Sequence, residues 1–172
     1  MTAEPLPQPA LRYQAERPED APAVEALVDR AFGPGRFTKS SERVREFALF
    51  RPGLSFCAWH DGRLVGVVRQ YLVEVSRRPV IFLGPLAVEE DERKHGAGAG
   101  LVEHACAAAR AAGYGAVLLV GDEPYFRRMG FSAAPAAQVR MPGPVDQRRV
   151  LVCALVPGGD EGLAGAIKAP QS

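Results

Sequence analysis

Hydrophobic and polar positions change period several times along this chain, and each change marks an element. Leu11, Tyr13 and Ala15 alternate with polar residues and predict a short strand, after a loose proline-rich tail over residues 1–10. Pro18, Glu19 and Asp20 suit the first turn of a helix, where proline sacrifices no hydrogen bond and acidic groups favour the dipole. Val24, Leu27, Val28 and Ala31 continue at helical spacing until Gly33-Pro34-Gly35 ends the run. A second amphipathic helix is predicted over Ser40–Phe50, with Val44, Phe47 and Ala48 on one face. The period then shortens. Leu54–Trp59, the Asp61-Gly62 tight turn, Leu64–Val75 and Val80–Val88 read as a meander of antiparallel strands. Pro85 removes a ladder donor inside the last of them, so a bulge is expected at Gly84-Pro85.

Gly96-Ala97-Gly98-Ala99-Gly100 reads as a glycine-rich loop running into a helix over Leu101–Ala112, which Gly113 stops. Leu101, Ala105, Ala108 and Ala112 give that helix a thin apolar face, able to lie close against a sheet. Ala116–Val120 is apolar throughout and predicts a buried strand. Strand, loop, helix, strand is a crossover unit, so this strand should lie parallel to Val80–Val88. A short helix over Pro124–Met129 and a strand over Val150–Val156 complete the pattern. No repeat or break in composition divides the chain, and residues 11–172 are expected to form one domain.

Charge narrows the function classes. Lys and Arg number 21 against 20 for Asp and Glu, which argues against a nucleic-acid partner. No apolar run approaches the roughly 18–20 residues that span a bilayer, and the N-terminus has no signal-peptide core, so a cytoplasmic protein without membrane contact is expected. Cys57, Cys106 and Cys153 sit singly in apolar runs with no Cys-x-x-Cys pair; buried thiols are expected, and no metal.

The chemistry concentrates in Arg93-Lys94-His95-Gly96-Ala97-Gly98-Ala99-Gly100, which follows Leu86-Ala87-Val88 and a short acidic turn. A helix start exposes unpaired N–H groups, and glycines remove the Cβ atoms that would hold a phosphate away. Arg93 and Lys94 add positive charge. Hydrogen bonds to a charged group are worth about 1.5–3 kcal/mol each, and micromolar binding needs about 8 kcal/mol. The stretch is therefore an anion cradle, unless it is only a small-residue helix packed on a sheet. No Gly-Lys-Ser/Thr follows the glycines, which excludes a P-loop, and their spacing is not Gly-x-Gly-x-x-Gly. No Gly-x-Ser-x-Gly elbow suggests a serine hydrolase.

Arg93-x-x-Gly96-x-Gly98, after a Leu-Ala-Val strand and before an Ala-rich helix, resembles the acetyl-CoA signature of the GCN5-related N-acetyltransferase (GNAT) superfamily. Gly121-Asp122-Glu123-Pro124-Tyr125-Phe126-Arg127-Arg128-Met129-Gly130-Phe131 is similar to the family's aromatic–Tyr–x–x–x–Gly–Phe region. Leu-Gly-Pro-Leu-Ala-Val and Gly-Asp-x-x-Tyr also resemble segments of its YhbS-like bacterial group. The order of elements agrees from Arg12 to about Val156.

The resemblance implies an α/β (α+β) fold: a mixed, mostly antiparallel sheet of six to seven strands flanked by about four helices, with the family's fourth and fifth strands (here 80–88 and 116–120) splayed apart. It implies acetyl-CoA as co-substrate and direct transfer of its acetyl group to an amine of a small molecule or protein. A non-catalytic acyl-CoA-binding domain of the same fold is the rival reading. Leu86, Ala87 and Val88 would offer backbone groups to the pantetheine arm. The N–H groups around Lys94, His95, Gly96, Ala97, Gly98 and Ala99 would hold the pyrophosphate, with Arg93 beside them. The family tyrosine stands four residues before the Gly of Gly-Phe; here that position is Phe126, counted among the cofactor contacts. Its neighbour Tyr125 is the candidate general acid; another acid, water or no acid are the alternatives. Asp122, Glu123 or a water chain could serve as base, and either carboxylate could instead cap the next helix. His95 is expected in the cofactor loop and His104 on the helix surface. The loops Phe32–Lys39 and Met141–Gln147 are implied to shape the acceptor pocket, with Arg36 and Lys39 as cations in the first, and a homodimer is compatible with the family.

Overall fold

The computed structural model of the protein describes residues 11–33 and 40–171. Its elements are β1 (Arg12–Ala15), α1 (Ala21–Phe32), α2 (Ser40–Phe47), β2 (Leu49–Phe50), β3 (Phe56–His60), β4 (Arg63–Val75), β5 (Arg78–Val88), α3 (Ala97–Ala111), β6 (Ala116–Val120), α4 (Glu123–Phe126), β7 (Val139–Arg140), β8 (Val150–Ala154) and β9 (Gly165–Ala166). The tail over residues 1–10 and the cations Arg36 and Lys39 lie outside the described residues.

Seven strands form the main sheet, in the order β1-β3-β4-β5-β6-β8, with β2 also paired to β4. Within it only β5 and β6 are parallel neighbours, as the crossover through α3 requires. The 13-residue β4 organises the rest. Its first half pairs with β3, its second half with β2, and β5 follows it along the opposite edge. The fold is thus the mixed, mostly antiparallel α/β arrangement that the resemblance implied.

Alternation along the central strands feeds two faces. Ile81 and Leu83 of β5 join Val117 and Leu119 of β6 beneath Leu101, Val102 and Ala105 of α3. Val80, Phe82 and Leu118 point the other way, into a cluster that contains Val44 of α2. Val24, Leu27 and Val28 of α1 cover Cys57, Val67 and Ala87 on that second side. Full burial of each of the Val, Leu, Ile and Phe side chains contributes roughly 1.5–3 kcal/mol. Gln70 pins α3 to the sheet: fully buried, it donates through Nε2 to the carbonyl oxygens of Leu54 (2.6 Å) and Ala105 (2.9 Å). All three cysteines are buried and free.

Several boundaries differ from the expectations. The second helix ends at Phe47, because Leu49 and Phe50 pair with Leu72 and Tyr71 of β4 instead of continuing it. Strand β3 starts at Phe56, since Pro52–Leu54 form a 3₁₀ turn. Helix α3 starts at Ala97, so Gly98 and Gly100 lie inside it, not in a loop. The segment Pro124–Met129 divides into α4 and a 3₁₀ turn. Strand β8 stops at Ala154, and the parallel pair β7–β9 is too short to leave a period in the sequence. The bulge does stand at Gly84-Pro85. Val68 faces Leu86 but Gln70 faces Leu83, so β5 carries one residue more than β4 across that step. Gly84 has φ +143°, a region that favours glycine.

Candidate active site

Parallel pairing between β5 and β6 is confined to Ile81↔Val117 and Phe82↔Leu118. Beyond Phe82 the two strands diverge. The divergence opens a cleft of about 450 Å³, lined on its β5 side by Leu83 to Leu86 and on its β6 side by Leu119 to Asp122. Gly84, Pro85 and Ala87 are buried, yet β5 has no strand partner here on its β6 side. Buried backbone groups need hydrogen bonds. An extended ligand carrying its own amides can supply them in the manner of an added strand.

The chain leaves β5 through a 3₁₀ turn, Glu90–His95, and enters α3 at Gly96, whose φ of +78° is left-handed. The first ladder bond of α3 runs from the Gly100 N–H to the Gly96 carbonyl oxygen. The N–H groups of Ala97, Gly98 and Ala99 therefore have no acceptor within the helix. A Cβ on Gly98 would stand 2.6 Å from the Tyr125 hydroxyl and 3.9 Å from Val88 Cγ2. That hydroxyl, the end of β5 and the first turn of α3 thus meet at one point.

The electrostatics favour an anion there. Glu89 is bound by Arg30 at 2.6 Å, Asp91 by Arg63 at 3.1 Å, and Glu92 by His60 Nδ1 at 2.6 Å and Arg63 at 3.4 Å. Every acid of the turn except Glu90 is turned onto a cation elsewhere. Arg93 and Lys94 are exposed and have no acidic partner among the described residues; Arg93 Nε lies 3.4 Å from the Val88 carbonyl oxygen. His95 is exposed beside the His60 ring (centroids 6.4 Å apart), and exposed His104 stacks on Tyr13 at 4.5 Å. The residues therefore suit an extended, amide-bearing chain that ends in an anionic group at α3.

The two aromatics of α4 part company. Phe126 lines the cleft and packs against Phe131 (5.9 Å between centroids) and Gly121. Tyr125 is 44% exposed, stands edge-on to Phe126, and directs its hydroxyl to Gly98 instead of the cleft. The carboxylates part in the same way. Glu123 accepts the Ala133 N–H and binds Arg127 at 2.8 Å; these two bonds hold its carboxyl below the usual range. Asp122 makes no side-chain cap bond to α4, lines the cleft and lies 3.6 Å from Arg149.

A third wall comes from distant segments. Phe32 of α1, the α2 residues Ser40, Ser41, Glu42 and Arg45, and Pro144–Asp146 close the cleft opposite the cradle. Asp146 accepts two side-chain bonds and a backbone bond from Arg148, which keep its carboxyl below the ordinary range. Phe32 and Pro144–Asp146 fall within the two segments expected to shape an acceptor pocket. The α2 residues and Arg149 carry no such signal in the sequence. They are polar positions on ordinary surface patterns, and only tertiary packing brings them together.

Residues 21–131 match the model of the acetyltransferase (GNAT) family. The uncharacterized N-acetyltransferase YhbS of Escherichia coli K12 is 29% identical over 157 residues, covering 90% of this chain and 93% of that protein. The crystal structure of E. coli YhbS in complex with CoA superposes with a TM-score of 0.80 at 27% identity, over 97% of this chain and 93% of that one. A GNAT family acetyltransferase from Brucella melitensis, solved with acetyl-CoA, shares the fold (TM-score 0.68, 23% identity, 94% and 96% covered).

Proposed function

This chain belongs to the GNAT acetyltransferase family, and on that premise we propose that it is an acetyl-CoA-dependent N-acetyltransferase working by direct transfer to an amine. The observation that carries the reading is the splay of β5 from β6, with an unpaired strand edge that ends at a helix start built from small residues. The likeness to a relative solved with CoA supports the same ligand here.

When bound, the co-substrate supplies an activated acetyl thioester: a C–N bond to the acceptor forms, the C–S bond breaks, and the proton lost by the amine balances the one gained by the thiolate. The chain's own part is binding and proton movement. Leu86, Ala87 and Val88 offer backbone groups to the pantetheine amides. The N–H groups of Ala97, Gly98 and Ala99 hold the pyrophosphate at the positive end of α3, where His95 and Gly96 shape the turn and Arg93 and Lys94 add charge. Phe126 gives the reacting end of the cleft an apolar wall. Asp122 faces the cleft with a carboxylate free of capping duty, and we assign it the proton of the incoming ammonium, directly or through water. Tyr125 has its hydroxyl beside Gly98, which suits a contact to the cofactor chain better than protonation of sulfur in the cleft.

Isothermal titration with acetyl-CoA, followed by thiol release against a panel of amines, tests the reading. Micromolar binding with turnover is the expected outcome. Phe126, at the place of the family tyrosine, is the one feature favouring a non-catalytic acyl-CoA-binding domain, and binding without turnover of any amine would establish that alternative. Absence of binding would remove both.

A further inference from the structure

The α2 wall of the cleft carries two hydroxyls and an arginine paired with Glu42. On the α2 wall, Ser40 is 5% exposed and lines the cleft, yet its hydroxyl has no hydrogen-bond partner among the described residues. The hydroxyl of Ser41, beside it on the same wall, also has none among them. A hydroxyl that faces a cleft and is not engaged by another side chain or by backbone can donate to a ligand there. One turn further along, Arg45 is 11% exposed. Its Nη2 is fixed by Glu42 at 2.6 Å. Its Nη1 would be 3.2 Å from a Cβ on Gly84, so this end of the fork hangs over the bulge with no acceptor among the described residues. Two hydroxyl donors and one guanidinium nitrogen thus face the cleft from one helix. Asp122 lines the cleft from the end of β6, 3.6 Å from Arg149, while Asp146, on the loop beside α2, is held by Arg148.

Building on the acyl-transfer reading above, we infer that the acceptor is an amine carrying an oxyanion (carboxylate or phosphate) a few bonds from its nitrogen. The oxyanion sits on Ser40, Ser41 and Arg45 Nη1, and the ammonium end faces Asp122. Arginine and hydroxyl donors suit either oxyanion. A simple alkylamine or polyamine would leave these donors desolvated and unmet, and a site built to hydrogen-bond a group discriminates strongly against molecules lacking it.

The test uses the full-length protein with acetyl-CoA and matched acceptor pairs: ω-amino acids against their primary amides, and aminoalkyl phosphates against the corresponding amino alcohols. Thiol release is measured, together with titration of each acceptor into protein saturated with CoA. We expect the anionic member of at least one pair to be preferred by on the order of tenfold or more in kcat/KM, or in affinity where turnover is slow. The pair that responds separates carboxylate from phosphate. Ser40→Ala and Arg45→Gln should each raise the KM for that acceptor several-fold or more without altering acetyl-CoA affinity. Ser40→Ala is the safer variant, because Arg45→Gln breaks the Arg45–Glu42 ion pair and needs a melting curve beside it. Equal or better use of the neutral members, no binding of any anionic member to the CoA-loaded protein, or an unchanged acceptor KM in Ser40→Ala would each overturn the inference while acetyl-CoA still binds. Loss of acetyl-CoA binding in the unaltered protein would instead strike the acyl-transfer reading on which it rests.

Discussion

On the proposed reading, the two halves of the candidate site would recognise their ligands by different means. The cradle at the start of α3 works through backbone: N–H groups of Ala97, Gly98 and Ala99, the left-handed Gly96, and the unpaired edge of β5. The acceptor wall works through side chains drawn from α2, the end of β6 and the loop around Asp146. A backbone site must be made from consecutive residues, and it demands small ones wherever a ligand approaches the chain. It therefore leaves a linear trace, here Arg93-x-x-Gly96-x-Gly98. A side-chain site tolerates many residue types and is assembled from segments as distant as Ser40 and Asp146, so it leaves none.

The harshest way to break the cradle is to fill it. Gly98→Asp adds a Cβ where only 2.6 Å separates it from the Tyr125 hydroxyl, and it sets a carboxylate against the phosphate position. Tyr125 is partly exposed and its tip can swing aside, so the fold should survive with a near-normal melting temperature. The loss of two or three charge-assisted hydrogen bonds, together with repulsion, should weaken acetyl-CoA binding by about 10³-fold or more in a titration. Ordinary affinity would mean that the small-residue run serves packing alone.

Asp122→Asn sharpens the contrast from the other side. If this carboxylate takes the acceptor's proton, kcat should fall by about 10²-fold, near the low end of general-base effects, while acetyl-CoA affinity stays the same. An unchanged kcat would assign proton removal to water. Asp122 and Glu123 are equivalent candidates in the sequence, two adjacent acids after a buried strand. The structure separates them through a partner ten residues away: Glu123 holds the Ala133 N–H, and Asp122 is left facing the cleft. No local pattern encodes that.

The same division runs through the fold. Period-2 and apolar runs locate β3 to β6, and the proline in β5 locates the bulge, because each rests on interactions within a few residues. The sequence pattern starts α3 at Leu101, too late, since glycine's poor helix propensity suggests a loop before it. Gly98 and Gly100 are instead kept inside the helix by close neighbours, the hydroxyls of Tyr125 and Tyr13, which leave no room for a Cβ. Strand β2 is hidden within a helical pattern because only its pairing with Leu72 and Tyr71 makes it a strand. Local physics is legible in the sequence; tertiary capture is not.

Tyr125 lies on the border between the two halves, and Tyr125→Phe tests to which it belongs. Its ring stands edge-on to Phe126 at 4.8 Å, so removing the hydroxyl should leave the packing intact. That hydroxyl lies beside Gly98, on the cradle side, and Phe126 fills the cleft position instead. A single hydrogen bond to the cofactor contributes about 0.5–1.5 kcal/mol, so acetyl-CoA affinity should weaken by roughly two- to tenfold. The turnover rate at saturation should stay within about twofold, because no proton transfer is lost. Turnover slowed by about 10²-fold with affinity preserved would instead make Tyr125 the acid that protonates the leaving thiolate. The loop carrying it would then have to move toward the cleft on binding, and the backbone half of the site would extend its reach into the chemistry.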